Sequence, residues 1–149
     1  MIIERANMED SNQILTLQKL AYISEAQLYN DFSIPPLTET IDKLENDIAQ
    51  KAVLKVVLEN QIIGSVRGFE KDGTCYIGRL IVHPDFQNRG TGKLLLKEIE
   101  VLFASAERFE LFTGHRSEKN LSLYKKVGYK EFKSKKVSSE LELIYLEKR

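Results

Sequence analysis

Residues 52–83 contain three apolar, β-branched-rich runs, "AVLKVVLE", "IIGSVRGFE" and "CYIGRLIVH", joined by nothing longer than "KDGT". The links are too short for a crossover, so the three runs must lie side by side as antiparallel strands. "NQ" and "KDGT" are good turn chemistry. A chain with such a meander at its centre is built on one sheet, and the amphipathic segments on either side must cover it.

Those flanking segments are legible by period. "MIIERA" is a first strand, and Asn7 caps the helix in which Ile14, Leu17, Leu20 and Ala21 recur at helical spacing. "DFSIPPLTET" interrupts, because Pro35-Pro36 cannot lie inside a helix. Thr38 is then expected to cap a second helix with Ile41, Leu44 and Ile48 on its inner face. After the meander, "GKLLLKEIEVLFASA" is a helix with Leu95, Ile99 and Leu102 on one stripe, and "RFELFTG" is a strand. "SEKNLSLYKKVGY" is a helix closed by Gly128, where a C-cap wants positive φ, and "EFKS" and "SELELIYLEK" are the last strands. The order β-α-α-β-β-β-α-β-α-β-β predicts an α/β (α+β) fold, a mixed sheet with helices on both faces. At 149 residues it should form one domain, 1–149.

Charge and cysteine content exclude several functions. Formal net charge is zero, which argues against nucleic acid or anionic membrane as a partner. The charge is uneven, however. Residues 1–50 carry three Lys/Arg against nine Asp/Glu, and residues 115–136 carry eight against two. The lone Cys75 has no internal disulfide partner and no metal-ligand cluster around it, so it reads as a buried strand residue and no metal is expected. The N-terminal "MIIERANMEDSNQ" lacks a signal-peptide layout and no apolar run reaches membrane-spanning length, which predicts a cytoplasmic protein.

The chemistry-bearing motif is "QNRGTGK", between the third run of the meander and the helix after it. A P-loop would need glycine where Gln87 stands and a hydroxyl where Leu94 stands. A dinucleotide fingerprint would need glycine at Leu95. Both fail on the residues that do the work. The pattern Gln/Arg-x-x-Gly-x-Gly/Ala fits Gln87, Gly90 and Gly92 without adjustment. An uncapped first helical turn offers backbone N–H groups to an anion, glycines let it come close, and Arg89 and Lys93 add charge.

This loop resembles the pyrophosphate loop of the GNAT superfamily of acyl-CoA-dependent N-acetyltransferases. "YIGRLIVHP" resembles that family's fourth strand, and "NLSLYKKVGYKEF" its second signature. The resemblance implies a sheet of about seven strands, splayed between the fourth and fifth, with about four helices. It implies acetyl-CoA as co-substrate, held by Leu80, Ile81, Val82, Gln87, Asn88, Arg89, Gly90, Thr91, Gly92, Lys93, Asn120 and Tyr124. Tyr124 would protonate the departing thiolate, and the Val82 N–H would hold the thioester oxygen. Gly78 is compatible with the bulge that splays the strand. Histone-acetylating relatives carry a glutamate eleven residues before the loop glutamine; here that position is Tyr76, so Glu70, Glu25, His115 or an ordered water is left as the base.

The leading expectation is an acetyltransferase acting on a primary amine, a small cationic molecule drawn by the acidic N-terminal helices. The alternatives are acetylation of a protein N-terminus or lysine, and a non-catalytic acyl-CoA-binding module. Retention of Tyr124 argues against the last. A homodimer that pairs "SELELIYLEKR" across a two-fold axis is a further expectation.

Overall fold

The computed structural model describes all residues, Met1–Arg149. The strands are β1 (Ile2–Arg5), β2 (Ala52–Leu58), β3 (Gln61–Lys71), β4 (Thr74–Val82), β5 (Arg108–Gly114), β6 (Lys130–Lys136) and β7 (Glu142–Lys148). The helices are α1 (Ser11–Ala21), α2 (Ile23–Tyr29), α3 (Pro35–Thr38), α4 (Ile41–Gln50), α5 (Thr91–Leu102) and α6 (Glu118–Lys126). The seven strands form one sheet in the order β1-β2-β3-β4-β5-β7-β6. Only β4 and β5 run parallel.

The meander is as its short links require, with β2, β3 and β4 antiparallel neighbours. Successive residues of a strand face opposite sides. Leu54 and Ile63 therefore join Leu95, Leu96, Ile99 and Leu111 in a core under α5 and α6, while Val53 and Ile62 join Ile14, Leu17 and Leu44 under α1 and α4. Both faces being covered, β2 and β3 are buried for most of their length.

Several local expectations are corrected. Pro35-Pro36 does not merely interrupt: it opens the single turn α3, where the missing N–H groups would be free in any case. Thr40 rather than Thr38 caps α4, its hydroxyl accepting from Lys43 N–H at 3.2 Å. Asn7 caps a 3₁₀ turn, Met8–Asp10, that feeds into α1. Leu102 is exposed and Leu96 takes the expected place in the core, because α5 ends at Leu102 and Phe103 turns in against the sheet. Gly128 has φ +104° as a C-cap requires. The C-terminal strand β7 lies between β5 and β6, so both its edges are paired within the chain, and the free edge on that side is β6. No helix is long and apolar enough to cross a membrane.

Candidate active site

The site begins where the sheet comes apart. β4 and β5 pair at Thr74–Arg108, Cys75–Phe109 and Tyr76–Glu110, and then separate. On the other side of β4 the register steps from Ser65–Ile81 to Arg67–Gly78, so β4 carries one extra residue. The bulge centres on Arg79, at φ +50°, rather than on Gly78. A left-handed arginine costs about 1–2 kcal/mol. Its guanidinium is held by Glu39 Oε1, 3.3 Å from both Nε and Nη2, which offsets the strain.

Backbone alternation decides what the opening offers. His83 N–H donates to Ile63 at 2.7 Å, and Val82 lies opposite Gly64. Bonded and non-bonded pairs alternate in an antiparallel ladder, so Val82 turns its N–H and C=O away from β3 into the opening. Its carbonyl accepts from Gln87 Nε2 at 3.2 Å, which ties the glycine loop to the end of the strand. Ile81 directs its backbone at β3 and its side chain into the core beside α1.

The loop itself curls through left-handed residues at Asn88 (φ +63°) and Gly90 (φ +82°). Gly90 is the N-cap of α5 and gives the helix no side-chain cap, so the first-turn N–H groups of Thr91, Gly92 and Lys93 point outward unpaired. A Cβ at Gly90 would meet nothing within 4 Å, so that glycine is needed for its φ. At Gly92 a Cβ would make only ordinary contacts with Leu123 and Val82. The space beyond it is open to a ligand. Arg89 stacks 5.3 Å from the Phe86 ring.

Splayed strand and helix terminus open into one cleft of about 660 Å³. Leu80, Ile81, Val82, Gln87, Asn88, Gly90, Thr91, Gly92, Lys93 and Asn120 line it. Arg89 is not among the cleft-lining residues; it borders an adjoining depression of about 470 Å³ with Lys97 and Lys148, and Lys93 and Lys126 border both.

Tyr124 is not among the cleft-lining residues. It is buried in the core under α6, its ring 6.2 Å from that of Tyr129. Burial pushes its phenol well above the usual tyrosine range, with Tyr22 and Glu25 adding to the push, so the hydroxyl keeps its proton at any physiological pH.

Of the groups considered as bases, only Glu25 lines the cleft. Its carboxylate accepts from Ser117 Oγ at 2.5 Å and from Asn120 Nδ2 at 3.1 Å. Tyr29 Oη accepts from Arg116 N–H at 3.0 Å and lies 2.7 Å from Ser117 Oγ, which extends the chain inward. Glu70 sits at the far end of the β3–β4 hairpin, opposite Cys75. His115 Nδ1 accepts from Glu142 N–H at 2.9 Å, and Tyr76 stacks 5.3 Å from Phe69. Cys75 is fully buried and burial pushes its thiol up to about 12, so it is inert.

Two features escaped sequence reasoning. Gln18, Tyr22, Glu25 and Tyr29 form a stripe at offsets of four, seven and eleven that crosses from the β3–β4 side of the opening to the β5–α6 side. The offsets were visible; the polar character hid them from a search for apolar faces. The other is a buried ionic cluster. Arg67 reaches Glu39 at 2.6 and 3.1 Å, Asp47 at 2.9 Å and Gln18 at 2.6 Å. Its members come from four separate segments, so no local pattern announces it.

A splayed parallel pair, an uncapped glycine-led helix and a shared cleft define an acyl-CoA-type acetyltransferase fold. The sequence profile of the acetyltransferase (GNAT) domain matches residues 50–131, and the chain belongs to that family. The PaiA N-acetyltransferase of Thermoplasma acidophilum, solved in complex with coenzyme A, superposes with a TM-score of 0.81 at 19% identity, over 100% of this chain and 99% of that one. The ribosomal-protein-S18-alanine N-acetyltransferase of Escherichia coli gives 0.81 at 12% identity, over 99% and 92%. The UPF0157 protein YqkA of Bacillus subtilis is 27% identical over 131 residues, 88% of this chain. This chain spans only 38% of that protein's length.

Proposed function

We propose that this chain transfers the acetyl group of acetyl-CoA to the primary amine of a small cationic molecule. The observation that carries the reading is the convergence in one cleft of the Val82 backbone and the unpaired N–H groups that open α5. Thr91, Gly92 and Lys93 N–H, with Arg89, suit a pyrophosphate; Leu80, Val82 and Asn120 suit the arm that follows it. Acetyl-CoA supplies the activated acetyl group.

An alkylammonium with pKa near 10.4 is neutral only about once in 2,500 molecules at pH 7, so the site must take a proton from it. Glu25 faces the cleft and is the residue positioned to receive the ammonium and that proton, directly or through water. The amine nitrogen then attacks the thioester carbonyl; the C–N bond forms and the C–S bond breaks. Val82 N–H is the donor for the oxyanion. Tyr124, kept protonated by burial and near enough to the cleft to feel Tyr22 and Glu25, gives its proton to the departing sulfur and regains the second proton that the nitrogen sheds on becoming an amide.

Release of free thiol from acetyl-CoA, measured across small amines and peptides, tests the reading. Thiol release with small primary amines is expected. Release with peptide N-termini or peptide lysines alone makes the chain a protein acetyltransferase, and none with any acceptor leaves a binding module.

A further inference from the structure

The two ends of the Gln18–Tyr22–Glu25 stripe carry opposite charge. At the Glu25 end is a lone carboxylate held by neutral donors, Ser117 and Asn120. At the Gln18 end, Arg67, Arg79, Lys43 and Lys51 surround only two carboxylates, Glu39 and Asp47. Glu39 is already occupied: Oε2 takes Arg67 at 2.6 Å and Gln18 at 3.3 Å, and Oε1 takes Arg67 at 3.1 Å. Arg79 therefore gets only the crowded Oε1, at 3.3 Å through Nε and Nη2, which leaves Nη1 for another acceptor. Its side chain is 25% exposed where that of Arg67 is 5%. Of the two arginines in the cluster, Arg79 is the one with both access and spare donors.

Arg79 is not itself among the cleft-lining residues, but it stands at the cleft's border: Leu80, the next residue, lines the cleft, and so does Tyr22, whose hydroxyl feels the charges of both Arg79 and Glu25. Gln18 in α1 and Glu25 in α2 are seven residues apart, on either side of the junction at Tyr22, and seven residues of uninterrupted helix would span about 10 Å. We propose that the acceptor is an amino carboxylate, its ammonium taken by Glu25 and its carboxylate by Arg79, with several methylenes lying along Tyr22 between them. A bidentate arginine–carboxylate contact fixes such a molecule at one end and presents the amine at the other. A diamine of equal length would bring a second ammonium to Arg79 and be repelled. This inference rests on the acetyl-transfer reading above and puts a zwitterion in place of its cationic acceptor.

The test compares kcat/KM for 5-aminovalerate, n-pentylamine and cadaverine at saturating acetyl-CoA. In the wild-type protein 5-aminovalerate should exceed both amines by at least about tenfold, as a charge-assisted contact does. Arg79→Asn, a residue that tolerates left-handed backbone, should erase that preference, and Arg79→Lys should restore part of it. Acetyl-CoA affinity serves as the control for folding. Pentylamine or cadaverine used as well as 5-aminovalerate by the wild-type protein overturns the inference and leaves the transferase reading standing. So does an Arg79→Asn loss that is equal for all three acceptors, which makes Arg79 a structural residue. Should Arg79→Asn not fold, the wild-type comparison decides alone. Absence of thiol release with every amine and peptide, in protein that binds acetyl-CoA, removes the transferase reading and this inference with it.

Discussion

At the scale of single residues, the two loop glycines do different jobs and separate experimentally. Gly90 holds φ +82°, a conformation an L-residue adopts at a cost, whereas Gly92 has ordinary backbone and room for a Cβ. Gly92→Val should therefore fold with little change in Tm and bind acetyl-CoA at least about tenfold more weakly, a loss of about 1.4 kcal/mol. Gly90→Val should lose both affinity and stability. Calorimetry on the two variants checks this; unchanged affinity in a folded Gly92→Val protein removes the pyrophosphate role of the loop. Tyr124 and Glu25 divide differently. Tyr124→Phe removes only the hydroxyl and with it the proton donor, so kcat should fall roughly 10²-fold while acetyl-CoA affinity holds. Full turnover in that variant, where chemistry limits the rate, would reduce Tyr124 to packing. Glu25→Gln keeps shape and removes the ammonium's partner, so the amine KM should rise as well as kcat falling.

At the scale of elements, what fixes the acceptor side is the Arg67 cluster, which binds α1, the α3–α4 link and α4 to β3. Burial alone would raise the carboxyls of Glu39 and Asp47. For Glu39 the hydrogen bond and charge of Arg67 reverse that, and for Asp47 those of Lys43, Lys51 and Arg67 do, so both lie below their ordinary values of 4.5 and 3.8. Carboxylates lowered on folding contribute stability that is complete above the unfolded pKa and lost as pH falls through the folded one. The wild-type Tm should thus hold from pH 7 to about 5 and drop steeply below pH 4. Arg67→Ala, which strands two buried carboxylates, should cost about 3–5 kcal/mol at neutral pH and lose less Tm on acidification. Parallel acid profiles for the two proteins would show that the cluster does not contribute. None of this was legible in the sequence, since Gln18, Glu39, Asp47 and Arg67 are brought together only by the tertiary fold. What was legible is what local physics dictates: strands whose links forbid a crossover, the glycine-led start of α5, and the closing glycine of α6. Gly78 was compatible with the bulge by its permissive backbone, but the bulge centres on Arg79, whose guanidinium pairs with Glu39.

At the scale of the whole molecule, the uneven charge along the chain becomes a field at the cleft, and its sign differs from what the sequence suggests. Much of the acidic excess of residues 1–50 is consumed internally: Glu39 and Asp47 by Arg67, and Asp10 by Lys55 at 2.7 Å. Glu39, one of the nine acidic residues of that segment, is buried and cannot steer a cation. Of the acidic residues in 1–50, Glu25 alone is left lining the cleft, an attraction of short range. The basic residues, by contrast, gather outside those pairs: Arg89, Lys93, Lys97 and Lys126 border the cleft and the depression beside it. The long-range field should therefore favour the polyanionic acyl donor over the amine. Screening shortens from about 10 Å at 0.1 M salt to about 3 Å at 1 M, so the KM for acetyl-CoA should climb several-fold across that range with kcat nearly constant. The amine KM should respond less, because Glu25 acts at contact distance. Lys93→Gln combined with Lys126→Gln should raise the acetyl-CoA KM at low salt and flatten its dependence on salt. A wild-type acetyl-CoA KM indifferent to ionic strength, or a double variant with the wild-type slope, would place the recognition in backbone N–H groups alone.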